Sequence, residues 1–175
     1  RGLLFKVVTI TAKEKLCICE KTECNPDNCP YARGHFDRVN EAVYELWTSG
    51  QSFDRDTLTS HADKWQVCPF EMSLDLAMWA DGIICDYNYA FDPNVHLKRF
   101  FGDGVSGDYI FLIDEAHNLV ERGREMYSAY ICKEDVLETR KKVKPYSRKL
   151  ARALERVNHQ LLELKKSCDT YEIQE

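Results

Sequence analysis

Five cysteines carry the most legible chemistry in this chain of 175 residues. Cys17, Cys19, Cys24 and Cys29 fall within one thirteen-residue stretch, and Cys68 follows after 38 intervening residues. Cys29-Pro30-Tyr31 and Cys68-Pro69-Phe70 repeat one Cys-Pro-aromatic signature. Proline suits the first position of a helix, because the N–H it lacks would be unpaired there. The signature therefore predicts two thiols at helix N-termini, where unpaired amides and the helix dipole favour a thiolate. Alone, either cysteine is a buried thiol beside an ordinary turn. Two prepared alike, next to a cluster of others, point to metal ligation.

The spacing is Cys17-x6-Cys24-x4-Cys29-x38-Cys68. Zinc sites usually show two close pairs. Cys17-x-Cys19 is too tight for such a pair, which makes Cys19 the spare thiol. Four thiolates at irregular spacing, with proline after the ligand, fit an iron–sulfur cluster at least as well as zinc. Spacing leaves both metals open. Cys85, Cys132 and Cys168 fall in expected strand or helix and are read as packing residues. The chain opens on Arg1-Gly2 with no signal peptide, and its cysteines crowd one end, which argues against a disulfide framework.

A second constellation is Asp114-Glu115-Ala116-His117, directly after the apolar run Tyr109–Ile113. A carboxylate at a strand's C-terminal end lies where α/β sheets bind ligands. Asp114 is suited to hold Mg2+, Glu115 to orient and polarise an attacking water, and His117 to link the nucleotide side to the nucleic-acid side. Acids also gather at helix N-termini for purely electrostatic reasons.

The elements that must position these groups follow from periodicity. Phe5–Thr11, Gly82–Asp86 and Tyr109–Ile113 read as strands. Residues from about 30 to 47 read as a helix with Phe36, Val39, Val43 and Leu46 on one face, and further helices are expected over about 54–64, 69–79 and 116–127. Apolar strands separated by helices suggest a parallel sheet covered on both faces. Pro145 separates a helix over about 133–143 from one over about 147–167. In the latter, Leu150, Leu154, Val157, Leu161, Leu164 and Cys168 form a heptad seam that needs a partner helix.

The composition, 44% hydrophobic and 30% charged, is that of a soluble globular protein. No apolar run approaches the roughly 20 residues of a membrane span. Net charge is −5 but unevenly spread: residues 1–132 hold 13 basic and 21 acidic side chains, and residues 133–166 hold 11 basic and 5 acidic. The basic segment is equally a solvated helical face or a phosphate-contacting one.

DEAH downstream of four cysteines resembles the XPD-like iron–sulfur DNA helicases, the superfamily 2 branch that includes bacterial DinG relatives. Tyr87-Asn-Tyr-Ala-Phe-Asp-Pro93 resembles the tyrosine-rich segment that precedes DEAH in that family. Lys13-Glu-Lys-Leu-Cys17 resembles the lead-in to its first cluster cysteine, and Asn118 continues its DEAH-Asn. The resemblance covers residues of about 5–130 and implies a [4Fe–4S] cluster on Cys17, Cys24, Cys29 and Cys68.

It further implies a helix-rich α/β fold: a partial RecA-like parallel sheet, a helical four-cysteine insertion and a helical, Arch-like C-terminal segment. Residues 1–11 and 80–125 would belong to the first motor domain, 12–79 to the iron–sulfur domain, and 126–175 to the start of the Arch. The parent would move 5′ to 3′ on single-stranded or forked DNA with ATP and Mg2+, in the cytoplasm or nucleus, and would be neither secreted nor membrane-bound. Lys13, Lys15, Arg33 and Arg38 flank the cysteines and are the candidate phosphate contacts.

No G-x-x-x-x-G-K-[ST] occurs in the sequence, and no second motor domain is evident. The expectation is a fragment from the middle of a helicase, inactive alone, with unpaired strand edges that favour self-association. The alternative is a zinc-stabilised, non-catalytic DNA- or protein-binding module. A small iron–sulfur electron carrier is disfavoured, because it leaves DEAH unexplained.

Overall fold

The computed structural model describes residues 3–168. They form two compact units that meet in sequence between Ala116 and His117.

The first unit is built on a parallel three-stranded sheet in the order β2-β1-β3, with β1 at Val7–Thr9, β2 at Ser52–Phe53 and β3 at Gly82–Ile84. Val8 stands opposite Phe53 on one side and Ile83 on the other. Parallel strands need crossovers, and here they are helical. From β1 the chain passes through α1 (Lys13–Leu16) and α2 (His35–Ser49) to β2. From β2 it passes through α3 (Arg55–Trp65) and α4 (Pro69–Ala77) to β3. One core joins sheet and helices: Val8, Leu16, Ala42, Phe53, Leu58 and Met72 are all buried in it. Lys6 fastens the end of α2 to β1, donating to the Trp47 and Gly50 carbonyls with its Nζ lying 4.4 Å from the Trp47 ring centre.

Helix α2 begins at His35, not at Pro30. Gly34 precedes it at φ +66°, and a Cβ there would lie 2.6 Å from the Arg38 guanidinium. Upstream, the Cys29 carbonyl accepts the N–H groups of Ala32 and Arg33 at 3.2 and 3.1 Å, which closes a turn ahead of the helix. The buried face of α2 runs through His35, Val39, Ala42 and Leu46. Phe36, expected on that face, is one position off it and 86% exposed.

The strand expected over Tyr109–Ile113 does not pair among the described residues; β2, which the sequence reading had not singled out, takes the third place in the sheet. The segment still alternates. Tyr109 and Phe111 pack against Phe101, with ring centres 5.5 and 6.0 Å away, whereas Ile110 and Leu112 are 92% and 93% exposed. Phe101 belongs to the short helix α6 (Lys98–Phe101), which follows α5 (Asn88–Phe91).

The second unit holds α7 (Leu119–Met126), α8 (Lys133–Val143) and α9 (Arg148–Ser167). Helices α8 and α9 form a hairpin whose turn contains Pro145. Ser147 caps α9 by accepting the Leu150 N–H at 3.3 Å. The partner that the heptad seam needs is thus supplied in part by α8. Val136, Ala151 and Asn158 are buried, while Leu150 and Leu164 of the expected seam remain about half exposed. A helix of 11 residues cannot cover one of 20.

Candidate metal centre and DEAH segment

Cys17 caps the C-terminus of α1, whose Leu16 is wholly buried, so the core fixes where the cysteine loop departs. The loop is then tied to itself. The Asn25 side chain accepts the N–H groups of Asp27 and Asn28 at 3.1 and 2.9 Å, and the Cys29 N–H reaches the Asn25 carbonyl at 2.9 Å. Arg33 donates to the carbonyls of Pro26 and Asp27 at 3.0 and 3.2 Å. Cys29 heads a turn that precedes α2, whose N-cap is Gly34, so only one of the two cysteines expected at a helix N-terminus is there.

That one is Cys68, the N-cap of α4 with Pro69 next to it. Its backbone N–H donates to Nδ1 of His35 at 3.2 Å. Burial pushes the Cys68 thiol up, against the opposing pull of the Glu71 and Phe70 N–H groups and of Lys13. The helix terminus therefore moderates the cost of a buried thiolate without overcoming it. Burial also lowers the pKa of His35, opposed by Asp75 and Glu71. Because Nδ1 accepts, the proton of the neutral ring sits on Nε2, which is buried with no partner among the described residues.

Lys13 pairs with Glu71 in the first turn of α4. Burial alone would lower its pKa, but Cys24, the Glu71 carboxylate at 3.4 Å and Cys68 together raise it. Cys19, read as the spare, lies with its sulfur 4.0 Å from that of Cys29. Its thiol is pushed up to about 11 by burial, then by its hydrogen bond to Cys29 and the charges of Cys29 and Cys17. Cys17, Cys19, Cys29 and Cys68 are half-buried and Cys24 is exposed. Among the described residues, no three His, Cys, Asp or Glu side chains form a closed ligand set. The donors fit a thiolate-ligated centre in kind: thiols supplied by one loop and by one helix cap.

The other candidate residues have mixed fates. Arg38 donates to the carbonyls of Trp65, Arg33 and Gln66 at 3.1, 2.8 and 2.6 Å, so its guanidinium ties α2 to the end of α3. Arg33 and Arg38 thus work as braces of the cysteine region, and Lys15 is exposed. Cys85 and Cys132, expected to pack, are exposed, because the strand and helix that carry them end short of each. His35 and the Cys19–Cys29 contact were missed. Only His35 left a signal, its place on the i, i+4, i+7 face of α2.

At the second constellation, Asp114 Oδ1 accepts the Glu115 N–H at 2.9 Å, and Glu115 sits at φ +50°, a region L-residues seldom occupy. Ala116–Asn118 then form a short 3-10 turn. The two acids therefore lie on a sharp bend after an extended segment, with strain of the kind that clusters at functional sites.

Residues 4–136 match the DEAD_2 family. The chain is 31% identical over 147 residues to a regulator of telomere elongation helicase 1 homolog from Anopheles gambiae, covering 77% of this chain and 14% of that protein. It is 28% identical over 117 residues to a Fanconi anemia group J protein homolog from Gallus gallus, covering 66% and 9%. It is 22% identical over 180 residues to the ATP-dependent DNA helicase CHL1 of Kluyveromyces lactis, covering 94% and 22%. The chain thus spans between about a tenth and a quarter of the length of these relatives. With the family matched from before the first cysteine to beyond DEAH, the chain belongs to the DEAD_2 family of XPD- and DinG-like superfamily 2 helicases.

Proposed function

We propose that this chain is the cluster-bearing and DEAH-bearing part of an ATP-dependent DNA helicase that moves 5′ to 3′ on single-stranded DNA. One observation carries the reading: a single family match takes in both the cysteine loop and Asp114-Glu115-Ala116-His117. Cys17, Cys24, Cys29 and Cys68 would hold a [4Fe–4S] cluster. Helices α1 and α4 pack on each other, which brings the end of α1 at Cys17 and the head of α4 at Cys68 into one region and supports it. When bound, the cluster would cross-link the loop to the head of α4 and contribute folding free energy, as structural metals do. Asp114 would hold Mg2+, Glu115 would orient the attacking water, and His117 would couple that site to DNA. Lys15 is the better placed of the flanking cations for a phosphate, since Lys13, Arg33 and Arg38 are engaged within the fold. Among the described residues no helix is long and apolar enough to cross a membrane; a cytoplasmic or nuclear site of action belongs to the same proposal.

The test is elemental. The chain is purified without oxygen, and iron, sulfide and zinc are measured per chain alongside the visible spectrum. A brown protein with about four irons, lost in Cys68→Ser, supports the reading. A colourless protein with about one zinc replaces it with the binding module. In the full-length parent, Glu115→Gln is expected to abolish DNA-stimulated ATP hydrolysis; normal hydrolysis would remove Glu115 from its role.

A further inference from the structure

Helix α6 has four residues and no side-chain cap, too short to persist on its own local bonds. It is held from elsewhere in the first unit. Leu97 and Phe100 pack against the core. Arg99 reaches α4: its Nη1 donates to Asp75, and its Nη2 lies 4.0 Å from one oxygen of Glu71, whose other oxygen meets Lys13 at 3.4 Å. Four charges of alternating sign thus link α1, α4 and α6. Lys13 stands four residues before Cys17, and Glu71 three residues after Cys68.

Helix electrostatics explain one of the two acids and not the other. Glu71 lies in the first turn of α4, where a carboxylate complements the dipole. Asp75 lies near the other end, where it opposes the dipole and where α4 carries no basic residue of its own. Arg99 supplies the missing cation from a separate element. These side chains are partly exposed, and an isolated pair so exposed contributes little. A network of several charges is the case in which such pairs matter.

The tie bears on the approach to Asp114-Glu115. Phe100 and Phe101, the two residues after Arg99, meet the Tyr109 ring edge-on with centres 6.2 and 5.5 Å away, and Phe101 lies 6.0 Å from Phe111. Phe91 of α5 adds a contact to Phe111 at 5.7 Å. At Gly102 a Cβ would lie 2.5 Å from the Lys98 carbonyl oxygen, so the chain leaves α6 by a path open to glycine. Phe111 stands three residues before Asp114. Residues 109–113 pair with no strand among the described residues, so ring contacts with α5 and α6 take on the seating that a ladder would give. We infer that Arg99 is a positioning residue for the DEAH acids: it fastens α6 to α4, and α6 sets where the segment carrying Asp114 and Glu115 enters its bend. The consequence for ATP hydrolysis rests on the helicase reading; the placement of the segment does not.

The placement is read in this chain by nuclear Overhauser effects between the Phe101 ring and the rings of Tyr109 and Phe111, together with the chemical shift of the Glu115 amide. Arg99→Gln is expected to weaken these cross-peaks and to lower the ratio of docked to undocked segment about 5-fold. Asp75→Asn should do the same from α4, and Asp75→Asn/Arg99→Gln should add little to either. Arg99→Lys, which keeps the charge without the planar fork, should restore part of the effect. Lys98→Gln removes an exposed charge from the same helix and should leave the cross-peaks as they are. In the full-length parent, Arg99→Gln is expected to lower kcat for DNA-stimulated ATP hydrolysis about 5-fold with KM for ATP unchanged, as when a group needed only in the chemical step is displaced. Far-UV circular dichroism checks each fold; if Arg99→Gln loses helix, Asp75→Asn tests the same pair, and loss in both would make Arg99 a general structural tie and overturn the inference. Cross-peaks intact in Arg99→Gln and Asp75→Asn, additive losses in the double variant, an equal loss in Lys98→Gln, or a raised KM with kcat intact would each overturn it too. Iron content and Glu115→Gln test the helicase reading separately. Cross-peaks lost in Arg99→Gln of a chain without iron leave the placement standing and sink the cluster; iron with unmoved cross-peaks does the reverse.

Discussion

The imidazole of His35 accepts the backbone N–H of Cys68 at 3.2 Å, joining the first residue of α2 to the N-cap of α4 across 33 positions of sequence. An N-cap N–H has no partner within its own helix. His35, only 3% exposed, supplies one and fixes where the Cys68 thiol starts from. His35→Leu should cost about 1–3 kcal/mol through the unpaired amide, speed hydrogen exchange at the Cys68 N–H and hasten metal loss to a chelator. His35→Asn, whose Oδ1 can stand near the position of Nδ1, should restore much of the protection. Equal exchange rates in His35→Leu and the native chain would show that the bond does not hold Cys68.

Leu16 tests the link between core and loop from the other side. It is fully buried and directly precedes Cys17. Leu16→Ala should destabilise the first unit by about 2–5 kcal/mol, read from chemical denaturation followed at the tryptophans, which all lie in that unit. Iron retention should fall with it, because Cys17 would lose its anchor. Full retention in a destabilised variant would mean that the loop holds its thiols without help from the core.

Helix α3 offers a pH test. Asp54 caps it by accepting the Thr57 N–H at 2.9 Å, and hydrogen bonding from the Thr57 side chain, then from that N–H, lowers the Asp54 pKa from the ordinary 3.8. A depressed folded pKa means that the stabilisation is present above 3.8 and is lost as pH falls from there through the folded value. Thr57 should therefore lose exchange protection below pH 3.8. Asp54→Asn caps without a charge and should show no such loss. Asp54→Ala should lack protection at every pH. Protection in Asp54→Ala matching the native chain at pH 7 would rule out the cap.

The sequence showed most where one local rule acted alone. Ser147 and Pro145 bracket the hairpin turn, and both helix spans follow. The Cys68-Pro69 signature delivered an N-cap, and the same letters at Cys29-Pro30 did not. The difference is Gly34, whose left-handed backbone separates the turn after Cys29 from α2. Sheet pairing was less legible, because β2 is two residues with no periodicity to read, and its place depends on what β1 can reach. The links of Lys13 to Glu71 and of His35 to Cys68 are long-range, and sequence spacing carries no record of them.

Tyr109–Ile113 shows how a strand pattern can be present without a strand. Tyr109 and Phe111 bury one edge against Phe101, and Ile110 and Leu112 face solvent almost completely. Apolar side chains alternating along an extended, unpaired backbone are a template for another chain. The isolated chain should therefore self-associate in a concentration-dependent way by sedimentation velocity. Ile110→Lys/Leu112→Lys should shift it toward monomer, because charges there oppose edge pairing and leave the contacts of Tyr109 and Phe111 with Phe101 untouched. Helix content should not change, since both side chains are more than nine-tenths exposed. A native chain that stays monomeric at high concentration, or a double variant that associates as strongly as the native chain, would place the segment's apolar face outside any assembly contact.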